Sequence, residues 1–222
     1  MIPGFRVRMG FGIHHGWAIE GAIGSYFKVD ASYLSPNVNM AARLEAATKQ
    51  FGTTLLISGH LRDILSDPMQ AICREIDKVT VKGSIKPMRF FTIDHQVDDL
   101  EKTHDPLFTK RIPEKKSIRD KMRKDLFNRL ESGTTTTWEE FSNDHEFIEL
   151  RKNVDPQFEL DFADAYKYYL EGDWATAGDK IAKLYEKRPY DGPTESLNKV
   201  INIRAQRKCP DDWKGFRPLT SK

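Results

Sequence analysis

The strongest constraint on the fold is one helix with a clear start and a clear stop, predicted over residues 35–52. The Ser35 hydroxyl suits the cap, and Pro36 suits the first helical position, where no N–H group is needed. Gly52 is a natural end, because glycine enters the left-handed region at little cost. Four apolar residues at helical spacing predict the face that packs on the core: Met40, Leu44, Ala47 and Phe51.

Asn39 and Arg43 lie four residues apart on a neighbouring stripe of this helix. That spacing places one side chain above the other, so a neutral amide and a guanidinium can both reach one ligand. A solvated helix face often carries the same pair, so the spacing alone leaves both interpretations open.

Four motifs in a fixed order add context to this helix. They are Gly12-Ile-His-His-Gly16, Gly21-Ala-Ile-Gly-Ser25, Val38-Asn-Met-Ala-Ala-Arg-Leu-Glu45, and Glu75-Ile-Asp-Lys-Val-Thr-Val-Lys-Gly83 with the following Pro87-Met-Arg-Phe-Phe-Thr-Ile93. Together they resemble the C-terminal half of a class III adenylate or guanylate cyclase catalytic domain, over residues 5–95. The resemblance implies an α+β fold, a partial ferredoxin-like cyclase domain followed by an α-helical tail.

The resemblance also implies roles for four residues. Asn39 matches the residue that orients the ribose, and Arg43 the one that stabilises charge on the transferred phosphoryl group. Lys82 matches the triphosphate contact, although a solvated charge at a strand end is the alternative. Ser32 takes the purine-facing position and resembles the Thr variant of adenylate cyclases. The implied reaction converts ATP, in preference to GTP, into a 3′,5′-cyclic nucleotide and diphosphate.

Family members hold two divalent ions, Mg or Mn, with two aspartates in the N-terminal half of the domain. The resemblance starts after that half, so we expect no metal ligands here and an internal origin for Met1. We therefore expect a fragment that is inactive alone and that pairs, as a homodimer or heterodimer, with another cyclase domain. If the chain is part of a longer parent protein, that parent could be associated with a membrane.

Composition sets broad limits on the chain. Its 222 residues, 39% of them hydrophobic, allow one domain and a smaller appendage, and a net charge of +2 gives no argument for nucleic acid. No apolar run approaches the roughly 18 residues that a membrane span needs, and no signal pattern begins the chain. Cys73 and Cys209 are far apart, which suits a reducing compartment and predicts a cytoplasmic protein.

Alternating patterns predict strands at residues 6–14 and 26–34, and an apolar run predicts a buried strand at 53–58. Two further strands, 75–82 and 87–94, form a hairpin-like pair. His14 and His15 should point to opposite sides, one packed and one exposed, which makes a shared metal ion a poor interpretation.

The composition divides the chain into three segments: a catalytic half-domain over residues 1–97, a charged linker over 98–157, and a helical tail over 158–222. Within the linker, residues 113–131 predict a basic amphipathic helix that connects in solvent. Weak contact with an acidic membrane surface or a calmodulin-like partner is the alternative. Residues 133–137 predict a flexible link that ends this helix.

Two helices in the tail, 162–170 and 175–187, resemble one tetratricopeptide-like pair. Such a pair cannot bury both faces alone, so it should dock on the cyclase segment or on another chain. Trp213 fits a packing anchor better than a ligand stack.

The alternative to an enzyme fragment is a non-catalytic regulatory or dimerisation module derived from a cyclase. Joint presence of Asn39, Arg43 and Lys82 favours the enzyme. Absence of the metal-bearing half favours the module if Met1 is a genuine start.

Overall fold

The computed structural model describes residues 9–81, 86–95 and 115–219. The chain divides into two compact units, one of residues 1–93 with 156–222 and one of residues 94–155. Helices combine with a mixed sheet, so the predicted α+β class is confirmed. The division of the sequence into three segments stays a prediction.

A five-stranded sheet forms the frame of the first unit, with the order β1-β4-β6-β5-β7. Parallel pairing joins β1 to β4 and β5 to β7, whereas β6 pairs antiparallel with both β4 and β5. The strands are β1 (Phe11–Ile13), β4 (Leu55–Ser58), β5 (Cys73–Thr80), β6 (Met88–Ile93) and β7 (Arg217–Pro218).

Helix α1 spans Pro36–Phe51, with Ser35 as its cap and Gly52 in the left-handed region at φ 61°, as predicted. Its apolar stripe is buried against the sheet in one cluster, whose members include Leu44, Phe51, Leu56, Ile76 and Phe90. Gly12 permits the close approach of β1, because a Cβ there would overlap the α1 backbone. The sheet thus fixes one face of α1 and leaves the opposite face to solvent.

A separate two-stranded hairpin precedes α1. Strands β2 (Ile19–Ser25) and β3 (Lys28–Leu34) pair antiparallel, and Gly21 lies opposite Ser32. All of β2 and all of β3 except Ser32 are exposed. At the tip, Tyr26 is 99% exposed and Phe27 95% exposed. The hairpin therefore presents apolar side chains that the described residues do not cover.

Two short helices, α2 (Gly59–Arg62) and α3 (Asp67–Ala71), connect β4 to β5. The tail contributes α7 (Pro156–Glu171), α8 (Trp174–Lys187), α9 (Gly192–Asn198) and a π-helical segment (Lys199–Arg204). These elements share a buried core of their own. Pairing of α7 with α8 agrees with the predicted helix pair, and its tetratricopeptide-like character stays a prediction.

The tail docks on the sheet, one of the two outcomes expected for an unstacked helix pair. Tyr166 donates to Glu75 of β5 at 3.2 Å, and Arg74 pairs with Asp191 at 2.7 Å. Trp213 packs with ring centroids 5.0 Å from both Tyr169 and Trp174. Its predicted role as a packing anchor is confirmed.

The second unit contains α4 (Lys116–Glu131), α5 (Thr137–Ser142) and α6 (His145–Arg151). No residue of α4 is buried, which agrees with a solvated connector. A link between α4 and α5 is present, as predicted for residues 133–137, although Thr137 already begins α5; the flexibility of this link stays a prediction. Thr136 and Glu139 form a reciprocal capping box at the start of α5, in which each side chain accepts from the other residue's backbone N–H. Thr135 is buried, and its hydroxyl donates to the Glu139 and Glu140 carboxylates.

Among the described helices, none combines the length and the apolar content that crossing a membrane requires.

Candidate functional site

Asn39 and Arg43 project from the exposed side of α1, one helical turn apart. Both residues are exposed, whereas Leu44 and Ala47 on the same helix are buried. The predicted separation of a polar stripe from the packing stripe is therefore present. An amide and a guanidinium so placed can engage adjacent parts of one polar ligand.

Hydrogen bonds anchor the first turn of α1. The Ser35 hydroxyl accepts from the Asn37 backbone N–H at 2.8 Å and donates to the Trp17 carbonyl at 2.6 Å. The Asn39 N–H donates to the Ser35 carbonyl at 3.3 Å. Asn39 thus lies within a turn whose cap is itself tied to the start of the hairpin.

His14 joins this anchor and was not identified as a site residue from the sequence. Its Nδ1 lies 2.7 Å from the Ser58 Oγ, and its Nε2 lies 3.2 Å from the Asn37 Oδ1. Strand alternation predicted one packed and one exposed histidine, and the structure makes His14 the partly buried one and His15 the exposed one. It could not identify partners that lie 44 and 23 residues away in the sequence.

The protonation of His14 follows from its surroundings. Burial lowers its pKa below the usual value of about 6.5, and the Asn37 hydrogen bond opposes that shift. The charges of His60 and His15 lower it further, and the His60 ring lies 5.5 Å away, edge to face. His14 is therefore neutral at neutral pH.

Ser32 and Lys82 are the other two predicted site residues. Ser32 is half-buried on β3, three residues before the α1 cap. Lys82 lies outside the described residues, which stop at the buried Val81 directly after β5. The structure therefore brings Asn39 and Arg43 together on one helix, and the roles of all four residues stay predictions.

Within residues 9–81, 86–95 and 115–219, no group of three or more His, Cys, Asp or Glu side chains is arranged to hold a metal ion. The described residues do not fit the two expected Mg or Mn ions, so no catalytic step through a metal is derived from them.

The N-terminal segment is similar to known proteins. Residues 3–95 match the family described as the adenylate and guanylate cyclase catalytic domain. An adenylate cyclase of Anabaena cylindrica is 35% identical over 89 residues, which is 40% of this chain and 18% of that protein. Adenylate cyclase 1 of Rhizobium meliloti is 34% identical over 85 residues, 38% of this chain and 11% of that protein.

A terminal-differentiation-specific adenylate cyclase of Dictyostelium discoideum is 30% identical over 103 residues, 44% of this chain and 5% of that protein. The chain thus spans less than a fifth of the length of these three relatives. A solved bacterial light-regulated adenylyl cyclase is 30% identical, with a TM-score of 0.33, over 38% of this chain and 23% of that one.

Proposed function

We propose, from the match of residues 3–95 to the adenylate and guanylate cyclase catalytic domain, that this chain supplies substrate-facing residues of a nucleotide cyclase. One observation carries the proposal. Asn39 and Arg43 are exposed one turn apart on α1, while the other face of that helix is locked into the sheet. The packed helix thus fixes the backbone positions from which both side chains reach a nucleotide.

The proposed reaction is an intramolecular displacement at phosphorus. The 3′-oxygen of the ribose bonds to the α-phosphorus, the bond from that phosphorus to the diphosphate oxygen breaks, and the hydroxyl proton is released. Asn39 holds the ribose so that its 3′-oxygen lies in line. Arg43 stabilises the negative charge that develops on the phosphoryl oxygens, and Lys82 binds the triphosphate.

ATP is the proposed substrate, in preference to GTP. All three relatives named above are adenylate cyclases. The half-buried Ser32 hydroxyl, which both donates and accepts hydrogen bonds, is compatible with the adenine edge.

A second cyclase domain completes the proposed site. That domain would hold the two Mg or Mn ions, and the chemistry that these ions would supply is charge neutralisation at the triphosphate and a lower pKa for the 3′-hydroxyl. We infer that this chain alone is inactive and that it works as a homodimer or as a heterodimer with another cyclase domain. Support comes from the exposed hairpin, whose tip residues Tyr26 and Phe27 are 95% exposed or more.

The test joins the full chain, through a long Gly/Ser linker, to the catalytic domain of the Anabaena cylindrica relative. That domain carries alanine at its own positions aligned with Asn39 and Arg43, so only this chain can supply both residues. We expect ATP to be converted to cyclic AMP by the linked pair and by neither part alone. Arg43→Ala should lower turnover by at least about 100-fold, because one preorganised charge is removed from the transition state.

The matched control is Lys49→Ala, which removes an exposed cation from a different side of the same helix. It should leave turnover unchanged. Unchanged turnover in the Arg43→Ala variant of the linked pair would refute the proposal. A linked pair that folds but does not convert ATP would refute it as well.

A non-catalytic regulatory or dimerisation module is the second candidate. The observation that favours it is the pairing of an uncovered apolar hairpin with a docked helical tail in one compact unit. Such a module would bind the second cyclase domain and change its rate, with no effect of Asn39→Ala or Arg43→Ala.

We also propose a cytoplasmic location. Cys73 is buried and Cys209 is partly exposed, and the two do not form a disulfide bond, as is usual for a reducing compartment. Contact of residues 113–131 with an acidic membrane surface or a calmodulin-like partner remains an alternative role for the basic helix.

A further inference from the structure

The further inference concerns His14, which bridges three elements beside the candidate site. It directly follows β1, and its ring contacts Ser58 at the end of β4 and Asn37 in the first turn of α1. Both ring nitrogens are hydrogen-bonded, so the ring is held in one orientation. A cross-link of this kind transmits the position of the sheet to the start of the helix.

The bonding pattern assigns the protons. The Asn37 amide nitrogen donates to the Trp17 carbonyl at 2.8 Å, so its oxygen faces His14 and accepts from Nε2–H. Nδ1 is then the unprotonated nitrogen and accepts from the Ser58 hydroxyl at 2.7 Å. The Ser58 oxygen also accepts from the Leu61 N–H at 3.3 Å. A neutral His14 therefore satisfies every group in this network.

Protonated His14 does not fit the same network. Its Nδ1–H would have to donate to Ser58, whose own hydroxyl proton would lose its acceptor. The titratable groups that face the ring are His60 on α2 and the neighbouring His15, and both disfavour a positive charge there. The geometry and the charges thus favour the same protonation state.

We propose that His14 is a positioning residue, which holds the first turn of α1 so that Asn39 is presented to the nucleotide. A chain of hydrogen bonds joins His14 to Asn37, and the Asn37 side chain to the Trp17 carbonyl. The Ser35 hydroxyl donates to the same carbonyl, and the Ser35 carbonyl accepts from the Asn39 N–H. The Asn37 side chain is closely packed, because a Cβ on Gly16 would overlap it. This inference rests on the proposed function.

The test compares His14→Phe with His14→Gln in the linked pair described above, with activity expressed per folded molecule. His14→Phe removes both hydrogen bonds and should lower kcat by about tenfold or more, since small misplacements of a positioned group are costly. His14→Gln retains one N–H donor and one acceptor oxygen, so it should recover much of that loss. His15→Phe is the matched control, because His15 is exposed, and it should have no effect.

A double-mutant cycle separates positioning from a general loss of stability. In an Asn39→Ala background, His14→Phe should lower kcat little further if His14 acts through Asn39. An undiminished loss in that background, or unchanged kcat in the single variant, would overturn the inference.

Amide hydrogen exchange makes the result independent of turnover. In the full chain alone, His14→Phe should raise exchange at residues 37–41 while His15→Phe does not. If the linked pair has no activity but this exchange pattern is present, the proposed function is wrong, and the role of His14 in holding the first turn of α1 is supported. If activity is present and neither exchange nor kcat responds to His14→Phe, the positioning role fails.

Discussion

The β2–β3 hairpin and the C-terminal tail belong to the same compact unit, yet the hairpin exposes its apolar side chains and the tail buries its own. On the hairpin, Tyr26 and Phe27 are almost fully exposed. In the tail, Phe162 and Tyr169 are completely buried. The apolar side chains of the tail pack against one another and against the sheet, whereas those at the hairpin tip pack against no other described element.

Charge is treated differently in the two regions as well. The hairpin carries a Lys28–Asp30 pair with side chains 78% and 62% exposed, which contributes little in solvent. The tail instead brings Arg217 to Asp77 at 2.6 Å, where the Asp77 side chain is 0% exposed. The tail is therefore a structural part of the first unit, whereas the hairpin tip is not covered by any residue that the structure describes.

The largest expected effect comes from breaking the buried pair. Burial raises the pKa of the Asp77 carboxyl, and the charge of Arg217 opposes this shift. Arg217→Ala leaves Asp77 buried without its cation, so we expect a loss of about 3–5 kcal/mol in the free energy of unfolding. Urea denaturation followed by circular dichroism measures the loss.

Arg207→Ala is the matched control for this prediction. Its partner Asp179 lies in the same tail, but the two side chains are 45% and 63% exposed. We expect a loss below about 1 kcal/mol from this surface pair. Equal losses in the two variants would contradict the structural role of the Asp77–Arg217 pair.

The next effect tests how closely the tail packs on α1. A Cβ on Gly192 at the start of α9 would overlap the carbonyls of Phe51 and Gly52. Gly192→Ala should therefore cost about 1–3 kcal/mol in unfolding free energy through overpacking. Gly21→Ala in the hairpin is the control, because its Cβ would meet nothing within 4 Å. A neutral Gly192→Ala would mean that the two helix ends separate freely.

Local chemistry made α1 predictable from the sequence. Ser35, Pro36 and Gly52 act within a few residues of themselves, and the observed bounds of Pro36–Phe51 follow from them. The shared face of Asn39 and Arg43 follows from helical spacing alone. Contacts between distant residues were not predictable, because neither Asp77 nor Arg217 carries a local signal of a partner 140 residues away.

The same distinction applies to the candidate site. Ser32 was placed on a strand correctly, but its relation to α1 depends on how the hairpin leaves the sheet. Residues 133–137 were predicted as a flexible link from their Gly and Thr content, although Thr136 satisfies the backbone of the next helix. Thr136-Thr-Trp-Glu139 is the local sequence signature of a capping box, so the start of this helix could have been predicted from the sequence.

A smaller effect is the pH dependence of local stability at His14, which precedes the hairpin, and at Glu75, which contacts the tail. The pKa of His14 at the root of the hairpin is lowered by burial, so opened or unfolded molecules take up a proton more readily. Its contribution to stability is fully present above the unfolded pKa of about 6.5 and is lost as the pH falls from there through the lower pKa of the folded protein. The pKa of Glu75, which accepts from Tyr166 of the tail, is raised by burial, so acidification favours the folded form there.

Amide exchange at pH 7.5 and pH 5.5 measures this contrast. We expect faster relative exchange, after correction for the intrinsic pH effect, at residues 35–39 in acid and no acceleration at 162–169. His14→Gln should abolish the response at the hairpin root. Acid loosening of both regions to the same extent would show that the two attachments titrate together.

The smallest expected effect on stability is at the hairpin tip. Replacing both Tyr26 and Phe27 by Ser should change the unfolding free energy of the chain by no more than about 0.5 kcal/mol, because neither side chain is buried. Phe162→Ser, at a side chain that is 0% exposed, is the tail control and should cost at least about 3 kcal/mol. Urea denaturation at low protein concentration measures both.

Association gives the tip variant its discriminating result. If the hairpin binds a second cyclase domain, the Tyr26→Ser, Phe27→Ser variant should keep its fold and lose self-association in sedimentation velocity at high concentration. A variant that is destabilised by 2 kcal/mol or more would show that the tip packs within its own chain. The contrast with the tail would then disappear, because both regions would be covered by the same molecule.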